Sequence, residues 1–478
     1  MPAWLSQLSA AALSLLHVTA AIIVTADAVL RKRNVRSVIG WVGVAWLTPL
    51  IGSVLYLLFG VNRIRRRATA AASRASRPPI VMAEQRERVG GIIDRDAGLA
   101  GLARLGWRVT RNPLLVGNEV VPLSGGDAAY PEMLAAIDGA TRSVSLQTYI
   151  FDADPVGALF RDALARAVAR GVEVRVLIDH VGSRYSRPPM VAQLERAGIR
   201  AATFLPTRLA FLRYGNLRNH RKFLVVDGRT GFTGGMNIRE GHMLSRASRA
   251  PVQCLHFRLR GPIVEDFQAN FAIDWAFTTG ERLEGDRWFP PVEEAGPVIA
   301  RGVPNGPDEQ FDRVLEIILG ALSVAKRRVR IVTPYFLPED ALHRALEIAA
   351  LRAVDVEIVL PSKSNIPIVD WAMTPSMPFL IAKGCKIYRT PPPFDHSKVF
   401  VVDDAWSFIG SSNWDARSLR LNFEYNVECY DPSLAAALND LVDAKIRSAT
   451  PVDGQALRTR HVGLRLRDGL ARLLTPYL

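Results

Sequence analysis

His220-Arg221-Lys222-Phe223-Leu224-Val225-Val226-Asp227 returns later in the chain as His396-Ser397-Lys398-Val399-Phe400-Val401-Val402-Asp403. Both octets read H-x-K-x-x-x-x-D, and ten residues after each Asp stands an Asn, in Gly234-Gly235-Met236-Asn237 and in Gly410-Ser411-Ser412-Asn413. One octet is a weak signal. Two, followed by the same Gly and Asn spacing, mark a duplicated unit.

The sequence around the octets repeats as well. Val144–Tyr149 reads as a strand, Val156–Ala169 as an amphipathic helix ended by Gly171, and Val172–Ile178 as a second strand. The order returns with a strand at Val329–Val332, a helix at Leu342–Leu351 and a strand at Val356–Leu360. Tyr335-Phe336-Leu337-Pro338-Glu339-Asp340 echoes Tyr149-Ile150-Phe151-Asp152-Ala153-Asp154. Strand-helix-strand alternation predicts an α/β fold. Its two repeats, residues 113–290 and 291–450, are expected around a pseudo-twofold axis.

The spacing within each octet assigns roles. Residues two apart on a strand share a face, so His and Lys can meet one phosphate together. Asp, seven residues from His, faces away. Asp227 and Asp403 therefore complete the motif as supporting groups, within a candidate catalytic set of His220, Lys222, Asp227, His396, Lys398 and Asp403. Gly228 predicts a turn, and a returning strand brings Asn237 back beside Lys222. Gly235 and Ser411 are expected at turns whose backbone amides approach the phosphate. The chain holds only eight lysines among its 60 basic residues, yet two occupy the same slot of the two motifs. That slot asks for a compact ammonium in place of a planar guanidinium. Covalent phosphodiester transfer needs a neutral nucleophile and an acid for the leaving oxygen. Two half-sites facing each other supply both, with lysines and asparagines around the non-bridging oxygens. The reaction requires no metal or cofactor, and no cluster has metal-ligand spacing. Asp152 and Asp154 read as helix-start or loop residues. His17, His180, His242, His256, His343 and His461 stand outside the repeat and read as structural.

The 478 residues suit two or three domains. The net charge of +14 fits nucleic acid, anionic lipid or a phosphorylated substrate. Cys254, Cys385 and Cys429 are too few and too scattered for a disulfide framework. At the N-terminus, Leu8–Leu30 and Ser37–Val61 are each long enough to cross a hydrocarbon core, so residues 1–62 predict a transmembrane helical hairpin. Asp27 is expected to snorkel to an interface. Arg31, Lys32, Arg33 and Arg36 flank the first segment, and Arg63, Arg65, Arg66 and Arg67 follow the second. Two spans would put these clusters on opposite sides, whereas a shallow hairpin would not. Residues 63–112, with Pro78-Pro79, read as a linker. Residues 451–478 mix leucines with arginines, which fits either an anionic membrane surface or packing on the main domain.

The paired motifs resemble the phospholipase D, or HKD, superfamily. Within it, Leu47-Thr48-Pro49-Leu50, Tyr56 to Arg63, Gly117-Asn118, Tyr149 to Asp154, Gly261-Pro262, Thr333-Pro334-Tyr335-Phe336 and Asn422-Phe423-Glu424 resemble bacterial cardiolipin synthases, over nearly the whole chain beyond the first apolar segment. The resemblance implies that His220 attacks phosphatidylglycerol to form a phosphatidyl-histidine, and that His396 is the general acid and base. It implies binding roles for Asn237, Asn413, Gly235, Ser411 and Glu424, the last as a group orienting a histidine or as a salt-bridge partner. The implied partners are phosphatidylglycerol, anionic phospholipid and the membrane, not nucleic acid. The expected place is the inner (plasma) membrane, multi-pass, and since the second basic cluster precedes the large domain, the catalytic domains are expected on the cytoplasmic side. Hydrolysis, or phosphatidylethanolamine as one donor, stays open, and the sequence sets no oligomeric state. Cys254 departs from the pattern by standing where such enzymes carry an acid.

Overall fold

The computed structural model describes residues 3–32, 35–60, 89–90, 96–206, 217–307, 312–475 and 478. Arg33, Arg63, Arg65, Arg66, Arg67, Pro78-Pro79 and most of the expected linker lie outside the described residues. Backbone contacts divide the chain into two units, residues 1–64 with 205–217, and residues 65–204 with 218–478.

In the first unit, Ala3–Arg31 forms a single helix of 29 residues, whose Ala11–Arg31 portion is long and apolar enough to cross a membrane. The second apolar stretch differs from the expected span. It forms a helix at Val35–Leu47, breaks at Thr48-Pro49-Leu50, and resumes as the short helix Ile51–Leu55. Pro49 cannot donate a helical hydrogen bond, and Leu50 takes a positive φ of 59°. The chain then doubles back, so that Lys32 Nζ donates to the Gly60 carbonyl at 2.9 Å. Among the described residues there is one candidate span, not two. The stretch that was expected to carry the chain across brings it back beside Lys32. Asp27, expected to snorkel, accepts from the Tyr56 hydroxyl at 2.7 Å and pairs with Arg31.

Among the described residues, the second unit is built on one 16-stranded sheet, fifteen strands in a continuous order and Arg218–Asn219 paired off that path with Asn422–Tyr430. Its spatial order begins with Thr450–Pro451, then runs Lys386–Thr390, Asp355–Pro361, Arg328–Val332, Val399–Val402, Trp406–Gly410, Asn422–Tyr430 and Val298–Asn305. It continues through Leu115–Ser124, Leu255–Arg260, Thr230–Gly234, Phe223–Val226, Ser143–Thr148, Glu173–Asp179 and Arg200–Phe204. Apart from the terminal strand, the second half is the first in mirrored order, which is the signature of two repeats about a pseudo-twofold axis. The repeats join where Leu115–Ser124 pairs antiparallel with Val298–Asn305. In each, three strands run parallel; the inner two of each set are buried on both faces, as parallel sheets favour, while Arg200–Phe204 and Lys386–Thr390 are partly exposed.

Local signals explain most boundaries. Pro155–Ala169 is capped by Asp154, which accepts from the Gly157 amide at 2.8 Å, and Gly171 ends it at φ +85°. The register of the repeats is one residue off the echo in the sequence. Phe151 bridges Ile238 as Phe336 bridges Trp414, so Tyr335 corresponds to Ile150, not Tyr149. Part of the expected linker is also folded. Ala97–Thr110 is a helix capped by Asp96, and its buried Leu102 packs in the second repeat's core. Its glycines dilute the apolar pattern that would otherwise have marked it.

The residue between His and Lys points to the other face of the strand and braces the two halves. Arg221 is buried, pairs with buried Asp274 at 2.8 Å, and donates to the carbonyls of Glu424 and Asn305 in the second repeat. Asp274 also accepts from Gln147 and Asn219. Removing one member of such a pair leaves a buried charge uncompensated, so Asp274→Ala should lower the unfolding free energy by about 3–5 kcal/mol. Denaturant unfolding in detergent measures this, and a change below about 1 kcal/mol would show the pair to be dispensable.

Candidate active site

Each motif enters the site by pairing with the opposite repeat. Arg218–Asn219, just before His220, runs parallel to Asn422–Phe423. Phe394–Asp395, just before His396, runs parallel to Val252–Gln253. The His220 amide donates to the Phe423 carbonyl at 2.8 Å, and the His396 amide to the Gln253 carbonyl at 2.7 Å. These crossed pairings bring the imidazoles to a centroid separation of 6.5 Å, with planes at 87°. The rings share one cleft of about 210 Å³.

The residue after each crossed pair reaches the ring, and here the symmetry breaks. Behind His220 lies Glu424, fully buried, with its carboxylate 2.9 Å from Nδ1. Burial would raise the Glu424 carboxyl, but His220 and Lys222 hold it below the usual range. Ser411 Oγ donates to it at 2.5 Å and the Asn422 amide at 3.2 Å. Burial lowers His220 to about 4, against the pull of Glu424. The ring is therefore neutral, with its proton on Nδ1 facing Glu424 and its Nε2 lone pair free. Behind His396 the corresponding residue is Cys254, whose Sγ lies 4.0 Å from Nδ1. His396 Nδ1 instead donates to the Gly235 carbonyl at 3.0 Å. Burial, then Lys398 and Lys222, push His396 well below the ordinary imidazole range. Burial pushes the Cys254 thiol up to about 12, so it stays protonated.

Lys222 and Lys398 take equivalent places, each Nζ donating to the carbonyl of its own motif's histidine at 2.7 Å. Burial brings them down to about 7 and about 8. Asn237 and Asn413 line the cleft, and Asn237 Oδ1 accepts from the Ile150 amide at 3.2 Å.

Of three expectations, the first agrees with the structure and two need correction. Asp227 and Asp403 lie outside the cleft, facing away as their odd offset from His predicts. Asp227 accepts from the amides of Thr141, Arg142 and Ser143, and Asp403 from those of Lys326, Arg327 and Arg328. Both adopt positive φ at the strand turn, 51° and 53°, which Asp tolerates better than most residues. Second, Gly235 and Ser411 do not aim their amides at a phosphate, because these donate to the Leu255 and Tyr425 carbonyls. Gly235 works through its carbonyl and Ser411 through its hydroxyl. Third, Tyr149 and Tyr335 each pack a ring on a histidine, at 5.2 and 6.2 Å, from non-equivalent positions. Sequence reasoning missed Arg218 and Arg417 at the cleft. Arg218 could have been found, since it lies two residues before His220.

The profile described as "Cardiolipin synthase, PLD-like domain" matches residues 133–275 and 318–445, and one described as phospholipase D-nuclease N-terminal matches residues 19–60. The chain belongs to the cardiolipin synthase family of phospholipase D-like enzymes. It is 31% identical to the cardiolipin synthase of Geobacillus kaustophilus over 94% of this chain and 90% of that one. It is 28% identical to that of Staphylococcus aureus over 94% and 93%. The crystal structure of a phosphatidylserine synthase from Haemophilus influenzae superposes with a TM-score of 0.62 at 13% identity, over 79% of this chain and all of that one, which shows the shared fold. Membership makes the chain an enzyme associated with phospholipid and membrane.

The lysines set a pH dependence. They are charged below their pKa values and lose their protons as pH rises, so kcat/KM should fall through about pH 7–8, where the free enzyme titrates. A bound phosphodiester anion keeps them protonated, so kcat should fall only at higher pH. A profile of kcat/KM that stays flat to about pH 9 would contradict this assignment.

Proposed function

We propose that this chain makes cardiolipin from two phosphatidylglycerol molecules and releases glycerol. The observation that carries the reading is the pair of imidazoles 6.5 Å apart with unequal partners, one against a carboxylate and one against a carbonyl. Attack on phosphorus turns an imidazole into a cation, and a carboxylate at its other nitrogen stabilises that charge as it develops. This favours His220 as the nucleophile. His220 Nε2 bonds to phosphorus, the bond from phosphorus to the glycerol oxygen breaks, and His396, which takes up a second proton on Nε2 once the bound phosphodiester anion offsets the charges of Lys398 and Lys222, supplies that proton to the oxygen. His396 has no carboxylate to hold its proton, which suits an acid. In the second half it takes the proton from the hydroxyl of the incoming phosphatidylglycerol, whose oxygen attacks phosphorus and releases His220. Lys222, Lys398, Asn237 and Asn413 surround the phosphate oxygens. Asp227 and Asp403 act at a distance, by fixing the loops at the strand starts.

The relatives named cardiolipin synthase support this substrate and product. The apolar helix supports a place in the plasma membrane. Because the first unit brings Gly60 back beside Lys32, the positive-inside rule puts that end, and the chain that follows it, in the cytoplasm.

Purified enzyme with labelled phosphatidylglycerol should yield cardiolipin and glycerol, and phosphatidic acid as the sole lipid product would mean that water is the acceptor. His220→Ala and His396→Ala should each abolish turnover, while Cys254→Ala should keep most of it. Glu424→Gln should lower kcat by about 10²–10⁴-fold, as loss of a histidine-orienting carboxylate does elsewhere. A small effect would remove Glu424 from the mechanism.

A further inference from the structure

The C-terminal helix Val462–Arg472 is packed the wrong way round for an ordinary surface helix. Such a helix buries its apolar stripe and exposes its charges. Here the buried residues are Asp468 and Ala471, at 1% and 5% exposure. Asp468 is held there by Arg460 at 2.6 Å and Arg467 at 2.7 Å, and Arg467 also stacks on Trp371, 4.5 Å from its ring centre. The apolar stripe points outward. Val462, Leu466, Leu470 and Leu473 follow the i, i+4, i+8, i+11 spacing of one helical face, and are 70, 63, 57 and 73% exposed. Arg465 and Arg472 flank it, both exposed. An outward apolar strip edged by arginines has the form of a helix that lies in a bilayer interface, with leucines among the acyl chains and guanidinium groups at the phosphates.

The helix lies one element away from the cleft. Val462–Arg472 packs against Pro367–Met373, and Val369 of that partner, with the terminal Leu478, lines the cavity that holds His220 and His396. Ile366, 41% exposed, lies on the same rim.

We propose that Val462–Arg472 docks on an anionic phospholipid surface and seats the mouth of the cleft at headgroup depth, where a lipid phosphate can enter without leaving the bilayer. The link to the cleft rests on the proposed lipid substrate. The docking itself does not, and its test does not use turnover.

The full chain carrying Leu470→Cys takes a nitroxide label there, because Cys254, Cys385 and Cys429 are buried. Reconstituted in vesicles of equal phosphatidylglycerol and phosphatidylcholine, the label should collide more often with oxygen than with a water-soluble nickel chelate. More frequent collision with the chelate would place the strip in water and overturn the proposal. Shielding from both reagents would mean that another segment or a second copy covers the strip, and would overturn it too. In a second measurement, the triple variant Leu466→Ser/Leu470→Ser/Leu473→Ser should lose at least about tenfold in kcat/KM on such vesicles and stay within about twofold on dispersed short-chain phosphatidylglycerol. Equal turnover on vesicles would exclude a role for docking in substrate access. Failure of the transferase reading alone would leave the label's position unchanged.

Discussion

A neutral imidazole can bond to phosphorus only if one nitrogen keeps its lone pair, so the proton must be fixed on the other. In this protein the contact between His220 Nδ1 and Glu424 fixes it. The carboxylate cannot stand alone in the interior, where an unpaired charge is costly. It is surrounded by Ser411, Asn422 and the ring itself. Those partners belong to the second repeat and the ring to the first. The contact therefore depends on the crossed pairing of Arg218–Asn219 with Asn422–Phe423 and on the Arg221 brace behind it.

The duplicated architecture makes the two histidines neighbours, but small departures from symmetry make them different. Glu424 corresponds to Cys254, and Ser411 to Gly235. The first pair places a charge behind one ring and an uncharged thiol behind the other. The second replaces a hydroxyl that steadies the carboxylate with a carbonyl that accepts directly from His396. Equal folds thus present unequal imidazoles to a single cavity. The lysines keep the symmetry, each donating to the carbonyl of its own motif's histidine.

Much of this was legible in the sequence because it follows from periods and spacings. Two octets with matching Asn positions disclosed the duplication, and an offset of seven residues turned Asp227 and Asp403 away from the cleft. The departure at Cys254 was visible too, though not that it faces His396 from the opposite repeat. Other features depend on contacts that no local pattern records. Pro49 ends a helix inside a stretch apolar enough to cross a membrane. The helix Ala97–Thr110 is concealed by its glycines, and its stability comes from packing in the second repeat. The similar strings at Tyr149 and Tyr335 suggested a register that the strand bridges shift by one residue. The amides of Gly235 and Ser411 were already claimed by neighbouring strands. A one-dimensional reading shows which groups are near in sequence, but not which partners have taken their hydrogen bonds.

The two repeats share one sheet, joined where Leu115 and Asn118 meet Ala300 and Val298, and they are tied again by the crossed strand pairs that lead into each motif. Jaws joined at several such places resist swinging apart, because opening them would break backbone hydrogen bonds at each. The gap between the imidazoles is then a fixed gauge, and molecules must thread in and out through the existing aperture. Discrimination among them falls to the side chains that line this passage.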